Sequence, residues 1–193
     1  MFPTLPEIAL ALALAWGAGI RVYVVLFACG VAGRMGWVDL PSQMTILSHP
    51  LVLGVSGFML VVEFFADKVP WIDCVWDAVH SFIRIPAGAA LAAMVLGDGG
   101  ASIPVAAAIL GGAVAAGSHF TKSGARSAIN MSPEPLSNWT ASFFEDALVP
   151  AGLWLAIMHP LVFLVLLAAG TIAAILMLRW IWGGLKALAA RLR

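Results

Sequence analysis

The sequence predicts an all-α membrane protein with about six transmembrane segments, some of them broken or re-entrant, and three observations lead there. Of 193 residues, 62% are hydrophobic and 10% are charged, whereas a domain facing water carries roughly 25% charged residues. Long apolar runs follow one another between glycine-, proline- and polar-rich turns. The few charged residues fall within or at the ends of those runs, often at helical spacing, and so gather inside the bundle.

The first run, Leu5 to Gly33, exceeds the ~20 residues of one crossing and is interrupted by Gly17-Ala18-Gly19-Ile20-Arg21. It reads as a tilted, broken helix or a re-entrant pair of half-helices. The second runs from Pro50 to near Asp67. The third begins near Trp71, is polar on one face, passes Pro86 and ends at Gly97-Asp98-Gly99-Gly100. The fourth starts near Ser102 and fades into the polar stretch Ser118–Asn130. Ser132-Pro133-Glu134-Pro135 stops it, with Ser137 or Asn138 capping a fifth from about Asn138 to Ile157. The last extends from Pro160 to Trp182 before a short basic tail. The chain reads as one transmembrane domain over residues 1–193, and its start lacks the basic and small-residue features of a cleaved signal peptide.

Ten basic residues balance ten acidic ones, which argues against a nucleic-acid partner. Membrane lipid is the expected surrounding, and a homo-oligomer is compatible with the composition. Cys29 and Cys74 lie in apolar runs without a disulfide or metal spacing. Arg179, Lys186, Arg191 and Arg193, with Lys68, Lys122 and Arg126, place the C-terminus in the cytoplasm by the positive-inside rule. Two short motifs recur in order: Gly19-Ile20-Arg21 and Gly124-Ala125-Arg126, each followed by a span and then His49-Pro50-Leu51-Val52 or His159-Pro160-Leu161-Val162. They suggest an internal two-fold repeat with halves at 1–98 and 102–185, against chance matching in a low-complexity apolar sequence. Each histidine is expected to cap or anchor the start of its helix.

Charge at membrane depth is costly and usually faces a cavity, a partner or a pathway. Glu63 and Asp67 are one turn apart, and Asp73, Asp77, His80 and Arg84 follow at steps of four, three and four. This makes one polar stripe, lining a cavity or lying in the interface with its acids in water. A second stripe, His119, Lys122, Arg126 and Asn130, offers cationic donors suited to phosphate or carboxylate, or to ion pairs with the first. Glu145 and Asp146 lie deeper in the fifth span than capping requires.

Glu63-Phe64-Phe65-Ala66-Asp67-Lys68-Val69-Pro70, with Asp73, Trp76-Asp77, His80 and Arg84, forms one distinctive string. Thr121-Lys122-Ser123-Gly124-Ala125-Arg126 leading into Ser132-Pro133-Glu134-Pro135 and Ser137-Asn138-Trp139 forms another. Together they closely resemble the bacterial membrane-protein family labelled domain of unknown function 4126, over nearly the whole chain. The departure is Arg84-Ile85-Pro86 where the family pattern has Arg-Pro. The resemblance implies a membrane protein and no particular activity. A weaker likeness in kind, to undecaprenyl-pyrophosphate phosphatases, rests on Glu63-x-x-x-Asp67 and Gly124-Ala125-Arg126-Ser127, without the full Ser-Arg-Ser.

The leading expectation is a small secondary transporter or lipid flippase for an anionic, phosphate-bearing or lipid-linked substrate, with no cofactor. Arg21, Arg84, His119, Lys122, Arg126 and Asn130 would bind the anion. Glu63, Asp67, Asp73, Asp77, His80, Glu145 and Asp146 would handle protons. The same carboxylates would serve a divalent-cation transporter as hard oxygen ligands. An intramembrane enzyme acting on a lipid phosphate, with Asp73 and Asp77 holding a metal and His80 as acid or base, is a third reading. A scaffold whose charges only lock the bundle is a fourth.

Overall fold

The structure, a computed structural model, describes residues 2–131 and 135–191. Among them are six α-helices and two short 3-10 helices, with no strand: α1 (Leu5–Arg34), α2 (Pro50–Ala66), α3 (Pro70–Val95), α4 (Ser102–Asn130), α5 (Pro135–Met158) and α6 (Pro160–Arg191), with 3-10 turns at Ser42–Ser48 and Gly97–Gly99. The expected turn at Ser132-Pro133-Glu134 lies outside the described residues, as does Arg193; of Trp182, Lys186 and Arg191 only the backbone is described. Five helices have the length and hydropathy of a membrane crossing. A sixth crossing results if Ser42–Ser48 and α2, bent by 65° at His49, form one span. The chain is a multi-pass membrane protein.

Proline and polar residues set the helix starts. Pro6, Pro50 and Pro70 occupy first-turn positions, where a missing N–H costs nothing. Thr4 donates its backbone N–H to Glu7 Oε2 at 2.7 Å. His49 caps α2 as expected, its Nδ1 accepting from the Leu51 N–H at 3.2 Å. Helix α4 stays helical through the whole polar stretch to Asn130, and α5 begins at Pro135, three residues before the sequence expectation.

Helix α1 is the axis of the bundle. Two thirds of its most apolar window (67%) is buried by protein, against 6–33% for the other spans, and α2 to α6 all contact it. Its first half is rich in alanine and glycine, so neighbours approach closely: Ala9, Ala13, Leu14, Ala15 and Ala18 are fully buried. A Cβ on Gly19 would collide with the Ala115 carbonyl and Ser118, and one on Gly88 with Ala115. Van der Waals packing between small residues is the main adhesive where lipid is as apolar as protein.

Helix α1 is broken where the sequence suggests, at Arg21 (φ −144°, ψ 80°). A Cβ on Gly17 would lie 2.9 Å from Val25, an approach closed to residues eight apart in one continuous helix, about 12 Å along its axis. The halves therefore fold back on each other, as the re-entrant reading expects. The other glycine-x-arginine, at Gly124-Ala125-Arg126, lies within an unbroken helix. Helix α3 is inside out by the standard of water-soluble proteins. Asp73, Asp77, His80 and Arg84 are buried, while Trp71, Ile72, Val75, Val79 and Phe82 are exposed. That is the arrangement lipid demands, and it removes the interfacial alternative for this stripe.

A buried charge network as candidate functional site

Four cationic and six acidic side chains from α1 to α5, with Asp67 in the turn after α2, meet in one network around the α1 break. Arg21 reaches Asp67 at 2.9 Å, Asp146 at 3.1 Å and Glu145 at 3.7 Å. Its NH2 also donates to the Ser142 hydroxyl and carbonyl at 3.1 and 3.2 Å. Arg84 bridges Glu63 and Asp77, both at 2.6 Å. Arg126 lies 3.3 Å from Glu145, 3.5 Å from Asp73 and 3.7 Å from Asp67. It also donates to the Asn138 side-chain oxygen and carbonyl, so Asn138 is a buried partner rather than only a cap.

Lys122 sits at the centre. Its ammonium is 3.3 Å from Asp67, 3.3 Å from Glu145 and 3.6 Å from Asp77, and donates to the Ile20 carbonyl at 3.2 Å. It therefore fills a pocket of oxygens as a tethered cation. Two of these cations also cap helix ends. Ile20 is the last residue before the break, and Asp67, whose carbonyl accepts from Arg126 at 2.9 Å, follows α2. A positive charge at a helix C-terminus is the stabilising sign.

The sequence-expected residues are thus brought together, with differences in role. Asn130 donates to Asp73 at 2.8 Å and to Cys74 at 3.3 Å. His119 lies 2.7 Å from the Ser81 hydroxyl and accepts from Arg84 at 3.4 Å. Ser81 gives its own proton to the Asp77 carbonyl, so the neutral ring with its proton on Nε2 satisfies both histidine contacts. His80 stands apart from the ion pairs: Nδ1 donates to the Trp76 carbonyl at 2.8 Å, and Nε2 meets the Tyr23 hydroxyl at 3.1 Å. Asp146 is the least enclosed member, with its side chain 26% exposed. Sequence reasoning missed Tyr23, Ser81 and Ser142. Tyr23, the lone tyrosine, two residues past the break, was the one with a visible signal.

Two geometric facts bear on chemistry. Among the described residues, and with every member ionised, six carboxylates face four cations, leaving two negative charges in excess within the network, with the partly exposed Lys68 ammonium near Asp146 and Asp67 at its edge. Uncompensated buried charge costs several kcal/mol. In addition, a crevice of about 260 Å³ opens beside the network, lined by Cys74, Asp77, Ser81, His119, Phe120, Ser123, Arg126 and Ser127. Ser123 donates to Asp77 Oδ2 there at 3.1 Å. Oxygens of Asp67, Asp73 and Asp77 lie within 4.8 Å of one another, a spacing that suits a cation held by hard oxygen ligands.

The network occupies one half of the bundle. Arg84 is 14 residues into the 26-residue α3, roughly 21 Å along its axis at 1.5 Å per residue. Polar contacts therefore run from the α2–α3 end to mid-depth, and the small residues around Gly88, Ala92, Ala107 and Gly111 close the rest.

The family model for a domain of unknown function (DUF4126) matches residues 8–180. Comparison with curated proteins and with solved structures finds no match.

Proposed function

Because the chain belongs to the domain of unknown function (DUF4126) family, whose name leaves activity open, we propose from its own residues a small proton-coupled secondary transporter for an anionic substrate. It would reside in a bacterial inner membrane with its C-terminus cytoplasmic. The observation that supports this is the excess of two carboxylates over cations around the broken central helix. Such an excess repels a free anion and attracts protons. Each proton taken up removes one competitor for Arg84, Lys122 or Arg126. A phosphate or carboxylate then finds donors in the crevice, among Ser81, His119, Ser123, Arg126 and Ser127. Anion and proton thereby become companions, which is the logic of symport. A break in a central helix, with charged ligands at the freed carbonyls, is the kind of element on which alternating access turns.

The test uses proteoliposomes enclosing a pH-sensitive dye, challenged in turn with inorganic phosphate, small carboxylates and short-chain lipid phosphates. Inward proton movement that requires one of these anions, and is lost in Arg126→Ala, is the expected result. Proton movement with no anion dependence, or none with any probe, overturns the reading. The proximity of Asp67, Asp73 and Asp77 favours a second reading, transport of a divalent cation. Mn²⁺ uptake that Asp73→Asn abolishes would establish it instead. Lys122, already seated against Asp67 and Asp77, would have to yield its place to the metal.

A further inference from the structure

We propose that Glu63 is the group that takes up and returns the coupled proton, and that its protonation releases Arg84 from one of its two carboxylates; this rests on the proton-coupled reading above. Glu63 is completely buried at the end of α2. Its Oε1 accepts from Arg84 at 2.6 Å, and its Oε2 has no hydrogen-bond partner, a lack it shares with one oxygen each of Asp67, Asp73, Glu145 and Asp146; what sets it apart is the number of its donors.

The other five carboxylates are better served. Asp77 receives Arg84 at 2.6 Å, the Ser123 hydroxyl at 3.1 Å and Lys122 at 3.6 Å. Asp67 is approached by Arg21, Lys122 and Arg126, and Glu145 by the same three cations. Asp73 has Asn130 and Arg126. Asp146 has Arg21 and, at its partly exposed edge, the nearby Lys68 ammonium. Glu63 alone is fully buried and depends on a single donor, which it shares with Asp77.

The groups around Glu63 sharpen the assignment. From α3 come Arg84, Asp77 and His80, and from α1 Tyr23. From α4, His119 touches Arg84. His80 and Tyr23 are bonded to each other. Arg84 is thus divided between two carboxylates, and of the two only Asp77 has a second cation, the Lys122 ammonium at 3.6 Å. A proton adds to Oε2 without breaking an existing bond. The carboxylate plus H⁺ becomes a neutral acid, no electrons move, and release reverses the step. Arg84 then answers chiefly to Asp77, two turns away on its own helix, and stands beside the crevice that holds His119 and Ser81.

Infrared titration of the full chain in lipid nanodiscs tests this directly. A protonated-carboxyl band that appears as pH falls should shift when the glutamates are ¹³C-labelled. It should vanish in Glu63→Gln and persist in Glu145→Gln. The glutamate label needs no substitution, so a poorly folding variant does not block the test. A band that ignores the label, or survives intact in Glu63→Gln, overturns the assignment. A band lost in Glu63→Gln without anion-dependent proton flux in proteoliposomes keeps Glu63 as the proton site and removes the transport reading. Flux with an unchanged band keeps transport and removes Glu63.

Discussion

At the scale of single residues, Arg84 has the most to lose. Its guanidinium is fully buried and is, among the described residues, the only cation within ion-pair distance of Glu63. Arg84→Met should cost about 3–5 kcal/mol, because it leaves buried carboxylates unpaired rather than merely deleting a bond. Denaturant unfolding in detergent measures this. Adding Glu63→Gln to the same variant should recover part of the loss, since the glutamate then has no charge to compensate. A loss that the second substitution does not reduce would mean Arg84 acts through packing alone. Which residues are polar and inward was legible in the sequence, because Asp73, Asp77, His80 and Arg84 share one helical face. Which residue pairs with which was not. Arg21 meets Ser142 and Asp146, more than 120 positions away, and such partners depend on the rotation and height of whole helices. For the same reason the basic stripe read equally as an anion site or as the ion-pair partner of the acidic stripe; in the structure His119 is bonded and Lys122 and Arg126 are seated between carboxylates, the second of the two.

At the scale of elements, the two glycine-x-arginine motifs separate. Gly19 lies against the Ala115 backbone, with no room for a methyl group, whereas Gly124 has open space around its Cα. Gly19→Ala should therefore destabilise by about 1–3 kcal/mol through overpacking at the α1–α4 contact. Gly124→Ala should be neutral or stabilising by up to about 1 kcal/mol, from helix propensity. Thermal unfolding in detergent compares the two. Equal effects would show that the close approach of α1 and α4 is not a constraint. Most span limits were readable to within a few residues, because run length and proline placement set them; the end of α6 was not, since the helix runs through the basic stretch to Arg191, nine residues beyond Trp182. The break in α1 was visible as a cluster of small residues before Arg21. The continuity of α4 was not, since its last turns are polar and only the face carrying His119, Lys122 and Arg126 is buried, a tertiary effect that outweighs local hydropathy.

At the scale of the whole molecule, the arrangement is a small-residue seal in one half and a charge-filled interior in the other, around one central helix. The orientation expectation now rests on fewer residues. Lys122 and Arg126 are bound in ion pairs and do not act as loop charges, which leaves Lys68 and the basic tail. Cys74 offers a check, because it is exposed at the mouth of the crevice near the start of α3. In a Cys29→Ser background, a membrane-impermeant thiol reagent should label Cys74 from the cytoplasmic side only. Labelling from the opposite side would invert the topology, and no labelling from either would mean that water does not reach the crevice.

The sharing of Arg21 among Asp67, Glu145 and Asp146 has a consequence for biosynthesis. These partners lie just after α2 and in α5, so α1 leaves the ribosome long before they exist. A lone charge at the centre of a helix raises the cost of membrane insertion by about 2.5–3.5 kcal/mol. Helix α3 mitigates this within itself, since Arg84 and Asp77 pair two turns apart on one helix and enter already partly neutralised. Helix α1 has no such internal relief and must be sheltered at the insertion machinery until its counter-charges arrive. The innermost element of the bundle is thus made before the partners that complete it.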